Sequence, residues 1–177
     1  MKTSSADRWR SRLGSIVLML VCWQAAAQVQ AQGLAKPLGP IVLTVSGQIT
    51  QRNSPQGAQF DAAMLQALPA LSFTTRSQWH NKPVAYSGVA LNELLKAVGA
   101  QGSTLHLLAL DHFEARVPMS DAARYNPMIA MRADGQMLKV RTLGPVLLMY
   151  PFDQYPELHT DVYYSRCVWQ LKRIVVE

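Results

Sequence analysis

Cysteine is almost missing from this chain of 177 residues: there are two, Cys22 and Cys167, and none between Val42 and Ser165. Cys22 sits in an N-terminal apolar run, so the body of the chain has a single thiol, which excludes an intramolecular disulfide and leaves stability to the core. Charge is sparse too, at 16% of residues. The Lys and Arg beyond the N-terminus are scattered, densest at Lys139, Arg141 and the pair Lys172-Arg173, and no basic stripe is interleaved with aromatics. Nucleic acid is therefore not an expected partner. His80, His106, His112 and His159 have no pairwise spacing typical of a metal site. No nucleophile elbow with a Ser-His-Asp order and no glycine-rich phosphate loop is present, which argues against a hydrolase or a nucleotide enzyme. The apolar run Leu13 to Trp23 is too short to span a bilayer.

What is present suits one domain with an ordinary core, since 49% of residues are hydrophobic. Lys2, Arg8, Arg10 and Arg12 against Asp7 form a basic start, followed by the short apolar run and small residues. That order predicts a cleavable secretory signal over residues 1–31 and an exported, periplasmic domain over 32–177. Cleavage after Ala31 (Val29-Gln30-Ala31) and after Ala27 both fit. Val21 stands where a lipoprotein signal wants a small residue before the cysteine, which disfavours a lipid on Cys22. Without the leader the net charge falls from +6 to +3, that of an ordinary surface.

Along the chain, Ile41 to Gly47 alternates as a strand and Gln51 to Gln59 is a loop. Phe60, Met64, Leu65 and Leu68 fall at helical spacing, with Asp61 in the first turn and Pro69 as the stop. Leu91, Leu94, Leu95 and Val98 mark a second helix, capped by Ser87 at its start and by Gly99 at its end. Thr104 to Leu110 and Phe113 to Pro118 read as strands about Asp111-His112, and Ser120 is the expected cap of a short helix. Met128 to Arg132 is a strand entering a hairpin at Ala133-Asp134-Gly135. Val146 to Tyr150, apolar on both faces, reads as an interior strand. Phe152 to Tyr164 is a polar and aromatic loop, and in the last strand Cys167, Trp169 and Leu171 alternate inward. Short strands broken by a few helices make the fold class α+β.

The stretch Phe73-Thr-Thr-Arg-Ser-Gln-Trp-His80, read as a strand running into a polar loop, is the place where a site is expected. With its sequel Ser87-Gly-Val-Ala-Leu-Asn-Glu-Leu-Leu95, the opening strand Val42 to Gly47, the turn Leu110-Asp-His-Phe113, Met131-Arg-Ala-Asp-Gly135, Gly144-Pro145 and Trp169-Gln-Leu171, the chain resembles the molybdopterin-binding domain of the sulfite oxidase family. In those enzymes a cysteine on the loop after the strand near Phe73 ligates molybdenum. Here Thr74, Thr75, Arg76, Ser77 and Gln78 stand there, and a hydroxyl does not replace a thiolate as a soft ligand. Cys167, far along the chain, reads as a small buried hydrophobe. The departure makes the chain similar to small periplasmic proteins that bind reduced pterins and are associated with membrane diguanylate cyclases or phosphodiesterases. The resemblance thus implies a non-catalytic, pterin-binding regulator. A molybdopterin-dependent oxidoreductase subunit or remnant is the alternative, and a partner-binding domain with an empty groove is a third.

A pterin needs a flat apolar platform and a few fixed donors and acceptors at its edge. Trp79 is either that platform or an indole packed under the loop. Thr75 and Arg76 lie on the same stretch, and Arg76 offers paired donors to a ring carbonyl or a tail, or is simply solvated. Asp111 either accepts from the pterin amino edge or bonds its own turn. Arg132 and Arg166 adjoin the family-like motifs, with surface salt bridging as the plain alternative. Tyr150 either turns its hydroxyl to a cleft or is a capped core tyrosine. Trp169 reads as core.

Overall fold

The computed structural model describes residues 33–177, so the expected signal segment and Cys22 lie outside the described residues. In chain order the elements are β1 (Ile41–Gly47), β2 (Ala58–Asp61), α1 (Ala62–Gln66), β3 (Ala70–Ser77), β4 (His80–Ala90) and α2 (Leu91–Ala97). Next come β5 (Thr104–Ala109), β6 (Glu114–Pro118), α3 (Met119–Arg124), β7 (Met128–Ala133), β8 (Gln136–Met137) and β9 (Leu147–Met149). Two 3-10 turns, Phe152–Gln154 and Pro156–Leu158, lead to α4 (Asp161–Tyr164) and β10 (Leu171–Val176). The strands form two sheets, ordered β2-β1-β10-β5-β6 and β3-β4-β7-β8, with β9 also paired to β7. The first is mixed, because β1 runs parallel to β10 while the other neighbours are antiparallel. The fold is α+β.

Alternation explains which faces meet. Leu105, Leu107 and Ala109 of β5, Leu171, Ile174 and Val176 of β10, and Leu43 and Val45 of β1 turn inward, while Phe73, Thr75 and Ser77 do so from β3. One hydrophobic cluster joins both sheets to Leu91, Leu94 and Leu95 of α2. Burial of each such side chain contributes about 1.5–3 kcal/mol. Strand β9 is buried throughout, as a run apolar on both faces requires. At the hairpin tip Asp134 and Gly135 both have positive φ, 48° and 75°, the conformation of a tight primed turn.

Several expectations are corrected. The segment from Phe73 to His80 is not a strand followed by an open loop: β3 and β4 pair from Ala70 to Val89 as a long hairpin, and only Gln78 and Trp79 form its turn. Ser87 therefore lies within β4, paired to Ser72 and Arg132, and caps nothing. Helix α2 begins after Ala90 without a side-chain cap. Its first amide, Leu91 N, instead donates to Pro127 O at 2.8 Å, so a tertiary carbonyl replaces the capping hydroxyl. The same holds at α3, where Met119 N donates to Ser103 O at 2.8 Å and Ser120 lies inside the helix. Phe60 belongs to β2, and Asp61 is the N-cap of α1, accepting from Met64 N at 2.8 Å. The 152–164 stretch is not an open loop, since its two turns and α4 bury Phe152 and Leu158 completely. Trp169 is not core. Gln170 takes φ of 49°, which breaks the alternation before Leu171 and leaves the indole 36% exposed.

Candidate functional site

The tip of the β3–β4 hairpin, the β5–β6 turn and the segment from α4 to Trp169 meet around a cavity of about 440 Å³. Its walls are aromatic: Trp79 from the hairpin tip, Phe113 from the turn, Tyr164 from α4, and Trp169. Trp79 stands edge-on to both neighbours, 5.2 Å and 78° from Trp169 and 5.7 Å and 82° from Tyr164, as the ring quadrupoles prefer. The same indole packs against the main core, so platform and packing describe one side chain.

Polar groups enter from both sides. Asp111 and Asp161 supply carboxylates, and Gln78 and Ser165 supply neutral donors and acceptors. The Asp111 position is set locally. His112 takes φ of 69°, and Asp111 Oδ1 accepts from Phe113 N at 3.0 Å, a side chain closing its own turn. Cys167 also lies in the wall. Its separation in sequence from the Phe73 stretch is erased by folding, although the side chain is buried, as expected. Burial pushes the thiol up to about 12, so it is protonated at neutral pH.

The remaining sequence-derived candidates go elsewhere. Thr75 is buried and accepts from Asp153 N at 3.1 Å, fastening the first 3-10 turn to β3. Arg76, next along an alternating strand, points to the exposed face and does not line the cavity. Arg132 is exposed, bonds Gly135 O at 3.2 Å, and borders a separate 240 Å³ depression beside Ser87 and Gly88. Tyr150 is fully buried and its hydroxyl does not face a cleft, because it donates to Asp121 Oδ2 at 2.6 Å. Burial first, and then that bond, hold its proton far above the ordinary phenol range. Arg166 meets the same oxygen at 2.8 Å and lies 4.8 Å over the Tyr163 ring. Asp121 thus joins two candidates that the sequence did not connect. Arg166 lies just past Ser165, the C-cap of α4, so this cluster anchors the segment that carries Asp161 and Tyr164 to the cavity.

Sequence reasoning missed Phe113, Asp161, Tyr164 and Cys167 as wall residues and assigned Trp169 to the core. The available signal was composition: an aromatic-rich stretch from Phe152 to Trp169 with few aliphatic residues to explain it. Among the described residues no group of three or more His, Cys, Asp or Glu is placed to hold a metal ion. No helix among them is long and apolar enough to cross a membrane. No protein-family model matches the chain, and no curated protein matches it significantly.

Proposed function

We propose that the protein is a periplasmic, non-catalytic binder of a reduced pterin with a sulfite-oxidase-type molybdopterin-binding fold, and that it regulates a membrane diguanylate cyclase or phosphodiesterase. The observation that carries the reading is the convergence of Trp79 and Asp111, from turns more than thirty residues apart, on one aromatic cavity. Its volume falls in the range of small-molecule sites. A pterin ring stacks on an indole, and a carboxylate accepts from the amino group and ring N–H along its edge. Arg76 has no part in this version of the site.

The oxidoreductase alternative gains one observation, the presence of a thiol in the cavity wall. The lining suits a molybdenum-bearing, phosphorylated pterin poorly, however, because it offers no Lys or Arg for a phosphate and its thiol is held protonated by burial. Titration of a tetrahydropterin into the purified protein, followed by indole fluorescence and calorimetry, separates the readings when combined with elemental analysis. Trp79→Ala is expected to weaken binding by about 1–3 kcal/mol. Asp111→Ala weakens it as well, by leaving ring donors buried without an acceptor. Unchanged affinity in a folded Trp79→Ala protein, or about one molybdenum per chain, defeats the proposal.

A further inference from the structure

The charge of the cavity is opposite to that of the protein. The chain carries an excess of basic residues, yet the lining holds Asp111 and Asp161 and no Lys, Arg or His. Of the basic side chains next to lining residues in the sequence, His112 borders a separate depression, His80 meets Ser77 Oγ at 3.2 Å and Arg166 meets Asp121 at 2.8 Å. Two indole walls stand nearly at right angles, and Phe113 and Trp169 stay 45% and 36% exposed at the rim. The face of an aromatic ring is the negative pole of its quadrupole, so indole faces and carboxylates favour the same sign of charge. An anion meets nothing here to neutralise it.

We propose that this cavity is a binding site for a small organic cation of the quaternary-ammonium or protonated-amine class, held against the aromatic lining of Trp79, Phe113 and Trp169 and neutralised by Asp111 and Asp161. A bare metal ion is the poorer occupant, because it needs several oxygen, nitrogen or sulfur ligands and loses its hydration reluctantly. A methylated ammonium is weakly hydrated and presents an apolar surface that aromatic walls cover well. The volume of about 440 Å³ leaves room for such a head group with further atoms attached. The inference goes beyond the pterin reading and does not depend on it, since any ligand that sets a positive charge in the cavity lined by the two indoles satisfies the site.

The test compares choline and tetramethylammonium with 3,3-dimethylbutan-1-ol, a neutral analogue of choline in shape, by calorimetry and indole fluorescence on the purified protein. Choline is expected to bind at least about tenfold more tightly than the alcohol. The Asp111→Asn/Asp161→Asn double variant keeps a side-chain oxygen for the Phe113 amide and is expected to lose that preference, with alcohol binding unchanged. Trp169→Leu, which keeps an apolar side chain at the rim, is expected to weaken both cations. Equal binding of choline and the alcohol, no binding of choline, or undiminished choline binding by the folded double variant overturns the inference. A tetrahydropterin is titrated into the same samples: pterin binding without choline binding defeats the cation site alone, and the converse defeats the pterin reading alone.

Discussion

The Asp121 cluster makes the most demanding prediction about the fold. Asp121 Oδ2 accepts from Tyr150 Oη at 2.6 Å and from Arg166 Nη1 at 2.8 Å. The Asp121 and Arg166 side chains are 8% and 19% exposed, and Tyr150 is not exposed at all. Replacing Asp121 by Ala strands a mostly buried guanidinium and a fully buried phenol together. Removing one member of a buried pair costs about 3–5 kcal/mol, and the small exposure of Arg166 places the expectation at the lower end. Tyr150→Phe removes one hydrogen bond to a charged acceptor and leaves the ion pair whole, so about 1.5–3 kcal/mol is expected. Arg166→Met keeps the aliphatic stem but strands the carboxylate, and should fall between the two. Removing both charges, in Asp121→Ala with Arg166→Met, should recover part of the loss, because the penalty lies in the uncompensated charge rather than in the missing contact. Urea unfolding at neutral pH, followed by indole fluorescence, measures all four. A loss below about 1 kcal/mol for Asp121→Ala, or strict additivity of the two single variants, would refute the reasoning.

Three further outcomes follow from particular side chains. Among the described residues the Tyr86 hydroxyl is buried without a hydrogen-bond partner, and burial lifts its pKa to about 12; Tyr86→Phe should therefore be neutral or stabilising by about 1 kcal/mol in chemical unfolding, and a clear loss would contradict this. Gly88→Ala should destabilise by about 1–3 kcal/mol, because a Cβ there meets the backbone oxygen of Ile129 on β7, which cannot move away without disturbing the sheet; an unchanged melting temperature would count against that register. Hydrogen bonds from the amides of Met64, Gly39 and Leu38 hold the Asp61 carboxyl below the usual carboxylate range. A depressed pKa contributes stability above the unfolded-state value and loses it as pH falls through the folded one, so Asp61→Asn should be less stable than wild type at neutral pH, with the gap closing below about pH 4. A gap independent of pH would show that the charge plays no part.

Local chemistry made some of this legible in the sequence alone. Strand β1, the paired strands about Asp111-His112, the Asp134-Gly135 hairpin and the left-handed Gly99, with φ of 59°, all follow from period, turn residues and backbone freedom, which act within a few residues. The α+β class followed from the order of those pieces, and Trp79 and Asp111 were recognisable as candidates by residue type. Their convergence on one cavity was not, because it depends on how the two sheets pack. The caps failed for a related reason: Ser87 and Ser120 are good capping residues, but carbonyls of Pro127 and Ser103, distant in sequence, satisfy the helix starts instead. Trp169 was misplaced because a single left-handed residue, Gln170, shifts the phase of an alternating strand, and periodicity carries no record of such a shift. Asp121 was invisible as a partner for Tyr150 and Arg166, since a hydrogen bond across 29 positions and an ion pair across 45 form only after the chain has closed around them. The sequence determined the local elements and the residue types available for a site; the packing of the hairpin tip, the β5–β6 turn and the α4 segment decided which of them face one another, because cavity geometry and charge pairing are set by distances in space that the chain order does not contain.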